Sequence, residues 1–241
     1  MDDATIKTVS GSRFPFSHPF AERWHLASFA IAVIAWVAFE YASDIAKGLF
    51  DEETLNAYYT TIAYGPAAVA LLAIFLVDKA WLRQGIGFVG KANKTLVISC
   101  LAAVLAVYVS GYGLAWLMGY PREPFMQYLY YYQTTTVQLS VYLVSLLVLP
   151  PVVEEILYRH FVLSVIPFRK NVWCAVLAIL VPAVVFTLVH RQYEYWTTYA
   201  TLFGFAVVSG VARVMSRGML LSILLHAFAI AIALLLNEIV A

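Results

Sequence analysis

The chain has 241 residues, 63% of them hydrophobic and only 12% charged, with a net charge of +1 and a mean hydropathy of +0.81. Soluble domains carry about 25% charged residues, so half that fraction excludes an ordinary water-soluble domain and describes a chain dissolved in lipid. Its expected surroundings are the lipid bilayer; no nucleic-acid partner is expected.

The first 23 residues are polar and mixed in charge, without a short apolar core and a small-residue cleavage site. The first apolar run is therefore expected to be a retained signal-anchor. A spanning helix needs about 20 mostly apolar residues, and windows of that size predict seven, at 24–43, 60–82, 95–118, 138–166, 172–190, 196–214 and 218–236. Segment 121–135, PREPFMQYLYYYQTT, is too polar to span and rich in Tyr, which predicts an aromatic anchor in the headgroup region. The fold class is all-α, a polytopic transmembrane helix bundle of about seven spans. Residues 1–137 hold the tail, three spans and the Tyr-rich segment, and 138–241 form a four-helix core. Cys100 and Cys174 fall inside apolar runs and read as small buried hydrophobes.

Orientation follows from the basic residues by loop. Twelve of the 15 fall on the side of the N-terminus, and only Lys47, Arg122 and Arg191 on the other. The first loop of that other side, DIAKGLFDEET, is acidic. The N-terminus is expected inside and the C-terminus outside. In the sixth span Gly204, Ala206, Ser209 and Gly210 recur at helical spacing, which suits close helix packing or, alternatively, a substrate groove.

The fourth span contains PPVVEEILYRH, 150–160, with three charges between two apolar runs. A charge at mid-membrane costs about 2.5–3.5 kcal/mol on the insertion scale, and such residues face a protein-lined or wet interior and mark function. Glu155 and Arg159 are four apart on one helix face and can neutralise each other. Glu154 is rotated by about 100° from Glu155 and is the carboxylate left for other work. If the helix restarts at Pro151, both glutamates lie near a helix N-terminus, whose dipole favours an ionised carboxylate. The alternative is a buried ion-pair network that braces the bundle.

Two histidines also sit in apolar surroundings, His190 at the end of VVFTLVH and His226 in LLSILLHAFAIAIALLL. Beside a spare glutamate they suggest amide hydrolysis. A buried carboxylate can take a proton from water, and imidazoles can hold that water or a developing oxyanion. His18, His25 and His160 read as tail or motif-flanking residues. Two histidines and a carboxylate also make a catalytic zinc set, and Glu154, His190 and His226 would be its ligands. HExxH is absent, however, and no two candidates stand four apart on one helix. No cofactor is therefore expected and zinc is disfavoured.

EEILYR fits an EExxxR motif, FTLVH fits FxxxH, and His226 on a late span fits a third, histidine-bearing motif. On these residues the chain resembles the CPBP intramembrane proteases, the type II CAAX prenyl endopeptidase group and its prokaryotic relatives linked to bacteriocin processing and immunity. The resemblance covers roughly 138–236. It implies an intramembrane peptidase with Glu154 as general base on the attacking water, Glu155 and Arg159 supporting the site, His190 positioning the water and His226 stabilising the oxyanion, with a glutamate-dependent mechanism that needs no metal. Two positions depart from the family pattern. His160 stands where Gly is common, and Ile230 stands where the third motif usually ends in Asn. Ile cannot donate a hydrogen bond, and one lost oxyanion donor costs about 10²–10³ in rate. Ser222, one turn before His226, is a candidate substitute; Asn237 is about 16 Å further along the helix and out of reach.

The leading expectation is an endopeptidase that cuts a membrane-associated peptide or protein. A non-catalytic immunity or binding member of the same family is the second reading, and a proton-coupled transporter using Glu154, His190 and His226 as a relay is the third. The prokaryotic plasma membrane is the default location. His190 ends its span at the outer side while Glu154 lies near mid-depth, so either that span begins later in depth or the site opens outward; the expectation is a cavity near the inner half.

Overall fold

A computed structural model describes residues 25–82, 88–128 and 132–239. The N-terminal tail with His18, and 129–131 of the Tyr-rich segment, lie outside the described residues. The helices are α1 (Leu26–Lys47), α2 (Glu52–Val77), α3 (Lys94–Leu117), α4 (Pro124–Tyr128), α5 (Thr136–Glu154), α6 (Val172–Val189), α7 (Trp196–Ser216) and α8 (Leu220–Ile239). No strand occurs among the described residues. Seven helices, all but α4, are long and apolar enough to cross a membrane, and the chain is an integral membrane protein with a polytopic helical bundle.

Boundaries move where caps outweigh hydropathy. The second span starts at Glu52, eight residues before its apolar window, because the Asp51 carboxylate accepts 2.9 Å hydrogen bonds from the Thr54 backbone N–H and hydroxyl. That cap satisfies a donor the first turn would otherwise leave open. The acidic loop predicted as DIAKGLFDEET shrinks to 48–51, with its flanks helical. Thr135 and Gln138 start α5 with a reciprocal capping box, the arrangement in which each side chain bonds the other's backbone N–H.

The fourth span departs from expectation at its prolines. It does not restart at Pro151: α5 runs through Pro150 and Pro151 and passes at Glu155 into a π-helical stretch to Val162, then a 3-10 turn over Leu163–Val165. The fixed φ of proline fits a helix; what it removes is a backbone donor, so the chain continues without a new N-terminus. The glutamates therefore sit inside a continuous helix, and no N-terminal dipole acts on them. A π-helix bonds i to i+5 and is rare, appearing often at functional sites. Here it carries EILYRH.

One hydrophobic core draws on both halves of the chain. Ala35, Leu71, Val104, Phe186, Phe205 and Leu225, from six different helices, are all under 2% exposed within it. The small residues of α7 serve packing. A Cβ on Gly204 would meet Val107 of α3 at 3.0 Å, and one on Gly210 would meet Ile179 of α6 at 3.0 Å. At the far end of the bundle from α4, the Phe88 carbonyl accepts from the Met219 and Leu220 N–H groups at 2.7 and 3.0 Å. Gly90, at φ +75°, crosses Gly218 there so closely that a Cβ on Gly90 would stand 2.6 Å from the Gly218 Cα.

Candidate active site

The two adjacent glutamates diverge. Glu155 is fully buried and both its oxygens are bonded. Oε2 accepts from Ser209 Oγ at 2.7 Å and pairs with Arg159 Nε at 3.2 Å, and Oε1 faces His226 Nδ1 at 2.9 Å. The predicted i, i+4 ion pair is present. Arg159, 1% exposed, also donates to the Ala206 carbonyl at 3.4 Å and lies 4.8 Å from the Phe186 ring centre, a cation–π distance.

Glu154 is set differently. Tyr64 of α2 donates its hydroxyl to Oε1 at 3.1 Å, while Oε2 is buried with no hydrogen-bond partner among the described residues and lies 3.8 Å from His226 Nε2. The geometry fixes the tautomers. A carboxylate only accepts, so the Nδ1–H of His226 goes to Glu155 and Nε2 is turned to Glu154. His190, at the C-cap of α6, donates Nδ1–H to the Phe186 carbonyl at 2.6 Å. In the neutral ring this leaves Nε2 as an acceptor. The ring of Tyr193 stacks on that of His190 at 6.3 Å and 11°. Burial holds the Tyr193 phenol well above the usual range, so it keeps its proton.

Glu154, His190 and His226 line one cavity of about 500 Å³. One face of α5 forms a wall at every fourth residue, from Tyr142 through Leu146 and Pro150 to Glu154. On α2 the lining runs from Asn56 to Tyr64, and on α8 from His226 through Ile230 to Leu234. All three stripes lead from the glutamate towards the same end of the bundle, where Phe125 and Met126 of α4 roof the space and the exposed Gln192 borders it. The expected inner-half cavity and the orientation expected from the charge count do not stand together. The space extends to the face of segments 118–123 and 190–195, the one that the charge count would place outside. The reason is that α6 stops at Val189 and brings His190 to the cavity at the end of its helix.

Glu154, His190 and His226 are therefore brought together, with Glu155 and Arg159 behind them. Ser222 is not brought to them. It is fully buried and donates to the Ser209 carbonyl at 3.1 Å, so it lies outside the cavity lining and cannot replace the missing donor. Ile230 lines the cavity one turn past His226. As for a metal, no three His, Cys, Asp or Glu side chains among the described residues are arranged to hold one.

Two partners escape sequence reasoning. Tyr64 lies 90 residues from Glu154, and no local pattern announces that contact. His160, read as a flanking residue, is fully buried and its Nε2 is 2.7 Å from Asp78 Oδ2. Asp78 closes the apolar run LLAIFLVD, and a lone acid at that place was the available signal.

Residues 136–232 match the family described as type II CAAX prenyl endopeptidase Rce1-like. An Escherichia coli relative, described as an uncharacterized 24.3 kDa protein, is 32% identical over 178 residues, covering 73% of this chain and 80% of its own. The chain belongs to the type II CAAX prenyl endopeptidase-like family. The family match spans α5 to α8, hence both glutamates, Arg159, His190 and His226. Tyr64 and Asp78 are contributed from outside it. No solved structure matches.

Proposed function

We propose that this family member is an intramembrane endopeptidase in which Glu154 activates water against a peptide bond of a membrane-associated polypeptide. One observation carries the reading: the Glu154 Oε2 atom is buried, lacks a hydrogen-bond partner among the described residues and faces a cavity also lined by two histidines, while Glu155 beside it has both oxygens bonded.

Water gives a proton to Glu154 Oε2, and the hydroxide oxygen bonds to the scissile carbonyl carbon. The C–N bond then breaks, and Glu154 returns the proton to the leaving amine. His190 Nε2 accepts a hydrogen bond from the attacking water. His226 has committed Nδ1–H to Glu155, so Nε2 donates to the oxyanion only when the ring carries a second proton. Tyr64 holds the base in place. No step requires a metal, and the default location is a prokaryotic plasma membrane.

The test is hydrolysis of a library of membrane-segment peptides by the purified protein in H₂¹⁸O, read by mass spectrometry. The expected result is one ¹⁸O in each new carboxyl group, and its loss with Glu154→Gln at an unchanged thermal midpoint. Cleavage that persists in Glu154→Gln sinks the reading. The apolar Ile230 in the cavity favours a second reading, a binding member without catalysis; peptide retention without cleavage by the wild type would select it.

A further inference from the structure

The bundle is strongly polarised in charge, and the cavity has a place on that axis. Leaving aside the tail and the buried Arg159 and Arg213, the described residues of the face where α2 and α5 end and α3, α6 and α8 begin carry Lys79, Lys91, Lys94, Arg169, Lys170 and Arg217. Against these six, the opposite face has Lys47, Arg122 and Arg191. One of the three, Lys47, is paired with Asp44 at 2.6 Å. That opposite face also carries Asp51, Glu52, Glu53, Glu123 and Glu194. Short loops rich in Lys and Arg stay in the cytoplasm, and acidic residues contribute little to that choice.

The cavity stripes of α2, α5 and α8 all run towards the Lys/Arg-poor face. We infer that the cavity opens to the extracytoplasmic side of the membrane, so that this protein takes polypeptide segments presented there, at the outer membrane–water boundary. The inference rests on the peptidase reading for the word substrate, but the side of opening stands on charge and geometry alone.

The roof over the cavity fits this direction of access. Glu123 accepts from the Glu194 and Tyr195 N–H groups at 3.0 Å each and from the Thr198 hydroxyl at 2.5 Å, which ties the segment carrying α4 to the start of α7. Tyr120 and Tyr195 stack at 4.7 Å, and Trp196 Nε1–H donates to the Tyr120 hydroxyl at 3.1 Å. Aromatic side chains with a polar tip concentrate at a membrane–water boundary. Substrate held at that boundary reaches Glu154 by passing beneath α4, without crossing the bilayer.

The test uses single-cysteine variants of the full chain after replacing Cys100 and Cys174 with Ser. Gln192→Cys at the cavity rim, Ile230→Cys inside it and Lys170→Cys on the basic face are exposed in intact cells to a small membrane-impermeant methanethiosulfonate, then again after permeabilisation. Gln192→Cys and Ile230→Cys are expected to react in intact cells, and Lys170→Cys only after permeabilisation. The reverse pattern, or equal reaction of all three in intact cells, overturns the orientation. Reaction of Gln192→Cys with Ile230→Cys silent until permeabilisation overturns the outward opening. Because labelling does not depend on hydrolysis, an active Glu154→Gln would sink the peptidase reading and leave this result standing.

Discussion

His226 Nδ1 stands 2.9 Å from Glu155 Oε1, and this one bond aims the other imidazole nitrogen at the neighbouring glutamate. The buried ion pair of Glu155 with Arg159 is thus also the support of the His226 imidazole. Removing one member of a buried pair leaves an uncompensated charge and costs about 3–5 kcal/mol. Glu155→Gln is therefore expected to lower the thermal midpoint in detergent strongly, whereas Glu154→Gln, which removes no ion-pair partner of Arg159, is expected to leave it within about 1 kcal/mol of wild type. Equal losses from the two would contradict the division of labour.

Tyr64→Phe removes the hydroxyl bonded to Glu154 and little else. Hydrogen bonds to charged groups contribute about 1.5–3 kcal/mol, so single-turnover hydrolysis is expected to slow by about 10–100-fold with the fold intact. A wild-type rate would show that Tyr64 does not hold the base.

Ile230→Asn places an amide in the cavity one turn beyond His226. If an oxyanion donor is what this member lacks, turnover should rise, by at most the 10²–10³ that such a donor typically supplies. The informative quantity is kcat, since better ground-state binding alone would change only KM.

His160 and Asp78 form a second buried pair, away from the cavity lining. Replacing either with Leu is expected to destabilise by about 3–5 kcal/mol, and replacing both to cost less than the sum. A double-mutant cycle on thermal midpoints measures the difference; strict additivity would deny the coupling.

Gly90→Ala puts a Cβ against the Gly218 backbone at a left-handed φ. Strain of this kind costs about 1–3 kcal/mol, which should appear as a lowered thermal midpoint.

Much of the fold was legible because lipid imposes a simple rule: about 20 apolar residues per crossing. All seven spans were found that way. The starts of α2 and α5 were not, since Asp51 and Thr135 cap polar turns that hydropathy assigns to loops. At the site, the i, i+4 spacing announced the Glu155–Arg159 pair and the solitary histidines announced the cavity. The π-helical widening was hidden, because two prolines read locally as a break and only the surrounding helices decide that the chain continues. Tyr64 and Asp78 belong to an earlier helix, and spacing within one segment carries no information about what another segment brings to it. Ser222 failed for a related reason: it shares a helix with His226, yet its hydroxyl is taken by the Ser209 carbonyl.

The wide turn at Glu155–Val162 also bears on how such a site can be lost or gained. A π-helical stretch behaves as a surplus residue inserted into an α-helix, so a single-codon deletion within it would restore ordinary winding while keeping every side chain of EEILYR. The motif would still be readable in the gene, but Arg159 would be rotated relative to Glu155 and away from the Ala206 carbonyl. Counting letters alone would therefore not distinguish a working relative from a silent one, whereas the length of this helix between Pro151 and Phe168 would.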